Sequence, residues 1–191
     1  MKKGSYLWLS VPFEGKIETP PFKGVPFRPE TGLFIGDELN LMVTSQFQHA
    51  KARDAFPCFD EPHLKATFSL SIGRHMEELS RSNTDSLVLG LPVAGSQEYV
   101  WDHYKPTPVM STYLLALMVS SKYGYTEAFT KRGVRYRTWY AKEEVKKTQK
   151  LTENSVKIMD YLQEKVFKDI PFPLEKMDQI VVPNHVAHGM E

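Results

Sequence analysis

Cysteine is almost missing from this chain of 191 residues. Cys58 is the only one, so no internal disulfide can form. No Asn-x-Ser/Thr triplet occurs, which removes one marker of a glycosylated, secreted surface. No apolar run approaches the ~20 residues that cross a bilayer. The longest, Tyr113 to Val119, has the length of a buried strand. The N-terminus lacks the apolar core of a signal peptide. An excess of charge of one sign is missing too. Lys and Arg number 24 against 23 Asp and Glu, a net charge of +1. That balance leaves no electrostatic footprint for nucleic acid. We therefore expect no nucleic-acid partner and no membrane span in this segment.

What is present is ordinary globular material, 41% hydrophobic and 25% charged, enough to build a core. Ser5 to Phe13 is rich in aromatic and aliphatic residues and reads as a strand. Glu14 to Thr31 carries four prolines and reads as an irregular connection. Leu39 to Phe47 and Leu64 to Ile72 alternate apolar with polar residues, the period of half-buried strands. Short strands are expected at Leu87 to Leu91 and Glu98 to His103. Tyr113 to Lys122, apolar on both faces, reads as a central strand. Tyr125 to Phe129 and Val134 to Tyr140 complete a mostly antiparallel β region. The period then changes. Val145, Thr148, Leu151, Ser155, Ile158, Leu162 and Val166 step by three and four, which predicts a helix over about Glu143 to Phe167. Pro171 and Pro173 stop it. Met177 to Val182 reads as a short strand. The change of period sets an expected domain boundary between residues 1–141 and 142–191.

Gln46 to Pro62, QFQHAKARDAFPCFDEP, is the most constrained stretch. Arg53, Asp54, Asp60 and Glu61 surround an apolar centre that includes Phe56 and Phe59. Charges held beside buried aromatics must be paired. Pro57 and Pro62 exclude a central strand or helix. The stretch reads as a rigid corner, with Arg53, Asp54 and Asp60 as its ion pairs. Gln46 and Gln48 alternate around Phe47 and share one side of a strand end. His185 and His188 with Glu191 have a spacing that could bind metal on a helix. Pro183 and Gly189 bracket them, and an extended loop would spread them apart. No metal site is assigned there.

The corner resembles the Q-F-E…A-R-x-A-F-P-C-F-D-E-P segment of the zinc metalloaminopeptidases of the aminopeptidase N family. Pro108 to Ala116, PVMSTYLLA, resembles that family's P-M-S-T-Y-L-L-A segment, and Val182-Pro183…His188-Gly189-Met190-Glu191 resembles its exopeptidase motif, usually G-A-M-E-N. The three occur in family order. The resemblance implies a mainly β N-terminal domain, mostly antiparallel and saddle- or sandwich-like, incomplete at its start. It implies that the first helix and strand of an α+β, thermolysin-like catalytic domain follow. It also implies a zinc-dependent removal of N-terminal residues from peptides, with zinc polarising the scissile carbonyl and activating water. Gln46, Gln48, His188, Gly189, Met190 and Glu191 would bind substrate near its free amine. The partners implied are peptides with a free N-terminus and the remainder of the catalytic domain. Zinc ligation needs H-E-x-x-H and a later Glu. None of the six histidines precedes a Glu. The ligands are therefore expected beyond Glu191, no catalytic residue is assigned within this chain, and the fragment alone is expected to be inactive. A non-catalytic peptide- or protein-binding β module is the alternative. The family includes membrane-anchored ectoenzymes, towards which the reading leans, and cytosolic members.

Overall fold

A computed structural model describes residues 6–19, 32–37, 42–168 and 170–182. Among these residues, ten strands form three sheets. The first sheet holds β1 (Leu33–Asp37), β2 (Met42–Ser45), β7 (Leu117–Ser120) and β4 (Leu79–Ser82), in the order β1-β2-β7-β4. All of its pairings are antiparallel. The second holds β3 (Ser71–His75), β6 (Tyr99–Tyr104) and β5 (Ser86–Pro92), also antiparallel. The third holds β8 (Tyr123–Phe129), β9 (Arg135–Ala141) and β10 (Lys176–Ile180). Here β8 runs antiparallel to β9, and β10 runs parallel to it. A parallel pair needs a long crossover. The crossover contains α2 (Gln149–Tyr161), with a 3-10 turn before it at Val145–Thr148 and a π turn after it at Leu162–Val166. A mostly antiparallel β architecture with one substantial helix is thus present.

β7 is central, flanked by β2 and β4, as the two-faced apolar run required. It starts later than expected, because Thr112–Leu114 forms a 3-10 turn. The expected strand at Leu64 to Ile72 is corrected to β3. Residues 64–70 contribute only an isolated bridge from Ala66 to Met110. Among the described residues of Ser5 to Phe13 there is no strand, and Tyr6 is 97% exposed. Apolar composition alone does not make a strand without a neighbour to pair with.

Two apolar clusters anchor the sheets. Met42, Met118, Tyr123 and Trp139 join the first sheet to the third. Phe47, Ala52, Ala55 and Leu115 fill the corner beyond β2. Between helix and sheet the filling is unusual. Thr152 on α2 is fully buried, and its hydroxyl bonds Thr138 on β9 at 2.7 Å and Thr126 on β8 at 2.6 Å. The inward face of the helix is therefore Thr148, Thr152, Val156 and Gln163. Leu151, Ile158 and Val166, expected to face the core, are exposed. Leu151 and Ile158 lie within regular α2, where the buried stripe runs from Thr148 through Thr152 to Val156 because the threonine hydroxyls are satisfied by the sheet. Only Val166 is displaced by the π turn.

Candidate functional site

The corner follows β2 directly. Gln46 donates its backbone N–H to Gly32 at 2.8 Å, which extends the β1–β2 pairing by one step. Phe47 then turns into the core and meets Phe56 edge-on, with ring centroids 5.9 Å apart. Phe56 in turn meets Phe68 at 6.4 Å. Gln46 and Gln48, half-buried, flank Phe47. Both lie just past β2, Gln48 already in a turn, so the strand-end alternation expected for them stops at Ser45. A short helix, α1 (Ala52–Ala55), presses Ala52 and Ala55 into the same cluster.

Asp60 is the buried charge of this corner. Its carboxylate accepts the Arg53 backbone N–H at 3.1 Å, the Arg53 Nε–H at 3.3 Å and the Thr112 hydroxyl. Arg53 also reaches the Asp60 carbonyl at 2.7 Å. Burial opposes ionisation of Asp60. The bonds from Thr112 and Arg53 outweigh it and hold the carboxyl below its ordinary range. Ser111 closes the far side by donating to the Pro62 carbonyl at 2.6 Å. The PVMSTYLLA and DEP segments, far apart in sequence, are therefore stitched to each other. Two expectations need correction. Asp54 is exposed and takes part in no ion pair among the described residues. Phe59 points outward and is 82% exposed. The Arg53 side chain is also half open, at 51% exposure, so solvent weakens its share of the lock.

Of the expected substrate-binding residues, only Gln46 and Gln48 lie among the described ones. His188, Gly189, Met190 and Glu191 lie outside them, as does His185. The chain that leads towards them is defined as far as Val182. Val181 donates its N–H to the Trp139 carbonyl at 3.0 Å and accepts from the Tyr123 hydroxyl at 2.9 Å. Val182 packs on the cluster that contains Met42, the first residue of β2. Thr44 on β2 and Ile180 on β10 line one cavity of about 170 Å³. Among the described residues, no three His, Cys, Asp or Glu side chains form a set that could hold a metal ion. The described residues therefore do not fit a catalytic zinc.

Sequence reasoning missed two buried ionic centres. Asp102 on β6 is fully buried and takes a bidentate Arg74 at 2.6 and 2.9 Å, the Ser80 hydroxyl and the Gly90 N–H at 2.8 Å. Ser80 is on β4, so this carboxylate ties the second sheet to the first. Burial again works against its charge, and Arg74, Ser80 and Gly90 overcome it, leaving the carboxyl lowered. Asp178 on β10 takes Arg137 at 2.7 and 3.0 Å, the Trp139 indole N–H at 2.9 Å and Lys176. Burial is opposed there by Lys176 and Arg137, which keep Asp178 ionised. The arginine of each lies dozens of residues from its aspartate, and no local spacing announces it.

Comparison with known proteins follows the same outline. Residues 2–114 match the Peptidase M1 N-terminal domain. Human endoplasmic reticulum aminopeptidase 2 is 33% identical over 184 residues, covering 96% of this chain and 18% of the relative. Aminopeptidase N of Haemonchus contortus is 35% identical over 155 residues, covering 79% and 15%. The thyrotropin-releasing hormone-degrading ectoenzyme of Rattus norvegicus is 35% identical over 158 residues, covering 82% and 14%. The chain spans less than a fifth of the length of these relatives. Their names place such proteins in the endoplasmic reticulum and among ectoenzymes, and no described helix here is long and apolar enough to cross a membrane. By the match over residues 2–114, the chain belongs to the M1 peptidase family and carries its N-terminal domain.

Proposed function

We propose that the chain forms the entrance of a zinc-dependent aminopeptidase, a β domain plus the start of the catalytic domain, and recognises the N-terminal amine of a peptide. The observation that carries this is that Gln46 and Gln48, both half-buried, adjoin a Phe47 fixed in the core. An ammonium has three donors and needs acceptors from more than one direction. Each glutamine offers one carbonyl oxygen. Glu191 supplies the carboxylate, and His188, Gly189 and Met190 line the subsite beside it. The packing of Val182 on the cluster beneath β2 supports this pairing, because it brings the chain leading to Glu191 alongside the strand leading to Gln46. Zinc ligands are assigned to sequence beyond Glu191.

The unit beginning the catalytic domain has its helix and β10 in residues 142–191. Its sheet also includes β9 and β8, so the continuous hydrogen-bonding reaches back to Tyr123. Two features support further protein packing here. The outer face of α2 exposes Ile158 and Tyr161. Just beyond it, Leu162, Phe167, Ile170 and Phe172 line an apolar cavity of about 250 Å³.

The test is Glu191→Ala in the full-length enzyme, on one peptide with a free and an N-acetylated terminus. A charge-assisted hydrogen bond contributes about 1.5–3 kcal/mol. Glu191→Ala should therefore lower kcat/KM on the free peptide by roughly tenfold to a few hundredfold. Gln48→Ala should cost less, and the acetylated peptide should be poor with either protein. Equal losses on both peptides would show that Glu191 is not the amine anchor. The isolated chain should carry no stoichiometric zinc by elemental analysis and should not hydrolyse aminoacyl substrates. If it instead binds free and acetylated peptides equally well, the non-catalytic module is the better reading.

A further inference from the structure

The three sheets meet around a second cavity, of about 210 Å³, that has no part in the reading above. Four cations line it: Arg81 from β4, Arg135 and Arg137 from β9, and Lys176 from β10. Two carboxylates answer them. Asp178 takes Arg137 and Lys176, and Asp85 takes one terminal nitrogen of Arg135. The four cations thus outnumber the carboxylates paired with them by two.

Three independent details locate the deficit. First, Lys176 stands directly opposite Arg135 in the parallel register of β10 and β9. Like charges paired across strands repel, unless an anion sits between them. Second, Arg81 forms no ion pair among the described residues. Its guanidinium lies 4.2 Å over the Trp139 ring, donates to the Ser80 carbonyl and meets the Tyr104 hydroxyl, with Asp178 nearby. Burial and the neighbouring Arg137 make Arg81 give up its proton more readily than an ordinary arginine. Third, the Nε–H groups of Arg81 and Arg135 are both buried with no hydrogen-bond partner. Buried donors without acceptors are rare in folded proteins and call for an unseen partner.

We infer that this three-sheet junction binds a small tetrahedral dianion, with inorganic phosphate as the representative ligand. Two charges match the deficit of two. Several oxygens can accept from Arg81 and Arg135 at once, which a monatomic ion cannot do with the same directionality. Thr84, Ser86 and Tyr104 add hydroxyls to the lining. Arg135 and Asp85 are partly exposed and give the ion a way in. Bound there, the ion would link β4, β9 and β10 and stabilise the junction. This inference is independent of the peptidase reading.

The experiment titrates the chain with phosphate at constant ionic strength, balanced with sodium chloride, by calorimetry and thermal melting. Saturable binding of one phosphate per chain is expected, with a melting temperature that keeps rising as phosphate exceeds its Kd. Sulfate should compete and chloride should not. Arg81→Gln and Arg135→Gln should each weaken binding at least tenfold, while Lys131→Gln, at an exposed cation outside the cavity, should leave it unchanged. Should Arg81→Gln not fold, the more exposed Arg135→Gln carries the comparison. Absence of saturable binding, equal stabilisation by chloride, or unchanged affinity in the arginine variants would overturn the assignment.

Discussion

At the scale of single residues, two buried aspartates look alike and should behave differently. Asp102 and Asp60 both accept three or more hydrogen bonds and both pair with an arginine. The arginines differ. The Arg74 side chain is almost fully buried, whereas that of Arg53 is half exposed. Removing Asp102 strands a cation in the interior, which typically costs about 3–5 kcal/mol. Removing Asp60 lets Arg53 turn to water, so the loss reduces to unpaired polar groups such as the Thr112 hydroxyl, about 1–3 kcal/mol. With a melting temperature that shifts by about 2–4 °C per kcal/mol at this size, Asp102→Ala should melt well below Asp60→Ala. Thermal unfolding of the two variants side by side decides it. If Asp60→Ala is the less stable, the corner depends on Arg53 more than its exposure indicates.

At the scale of elements, the contact of α2 with its sheet rests on hydroxyls as much as on apolar packing. Thr152→Val keeps the shape and removes the oxygen that bonds both Thr126 and Thr138. Stability should fall by about 1–3 kcal/mol, because the buried Thr138 hydroxyl loses its partner and the half-buried Thr126 hydroxyl keeps only Thr148. Changing Thr126, Thr138 and Thr152 to Val together should recover much of that loss, since the remaining hydroxyl, Thr148, still donates to the Val145 carbonyl. A triple variant no better than Thr152→Val would rule out this account, by chemical denaturation. The same contact shows where sequence reading succeeded and failed. Short apolar and aromatic runs between turn residues located β5, β6, β8, β9 and β10 to within a few residues, because such runs are extended where a neighbouring strand can pair with them. Steps of three and four located the helix too, yet assigned its inner face to Leu151 and Ile158. Hydrophobic periodicity has no means of seeing a threonine that is buried because its hydroxyl is satisfied by two strands. Alternation placed a strand at Leu64 to Ile72, where apolar residues alternate without a partner strand for most of the run. Of the corner, the Arg53–Asp60 lock was legible from a compact local motif. Asp102 with Arg74, and the cations around Arg81, were not. Their partners are distant in sequence, and only the registers of the sheets bring them together.

At the scale of the whole molecule, three carboxylates stand at the joints. Asp60 holds the corner to the start of the 3-10 turn, Asp102 holds the second sheet to the first, and Asp178 organises β9 and β10. All three have their acidity increased by the fold. Burial alone would raise them, and their donors and cations more than reverse it. The unfolded chain therefore binds more protons than the native one once the pH drops towards the ordinary aspartate value of 3.8. These groups contribute their full stability above about pH 4, and it is lost as pH falls through the lowered native values. The melting temperature should be nearly flat from pH 7 to 5 and should drop steeply below pH 4. Asp102→Asn makes the cause visible. The variant has no carboxylate to protonate, so its deficit against the wild type should be largest near neutral pH and should shrink as acid removes the wild-type charge. The measurement is the melting temperature of both proteins from pH 7 to pH 2.5. A deficit that stays constant across that range would assign the effect to packing around the substituted amide and not to the buried charge. A deficit that closes with acid would mean that the sheets are held together at Asp102 by ionisation, with the charge on one side of the joint and its donors on both.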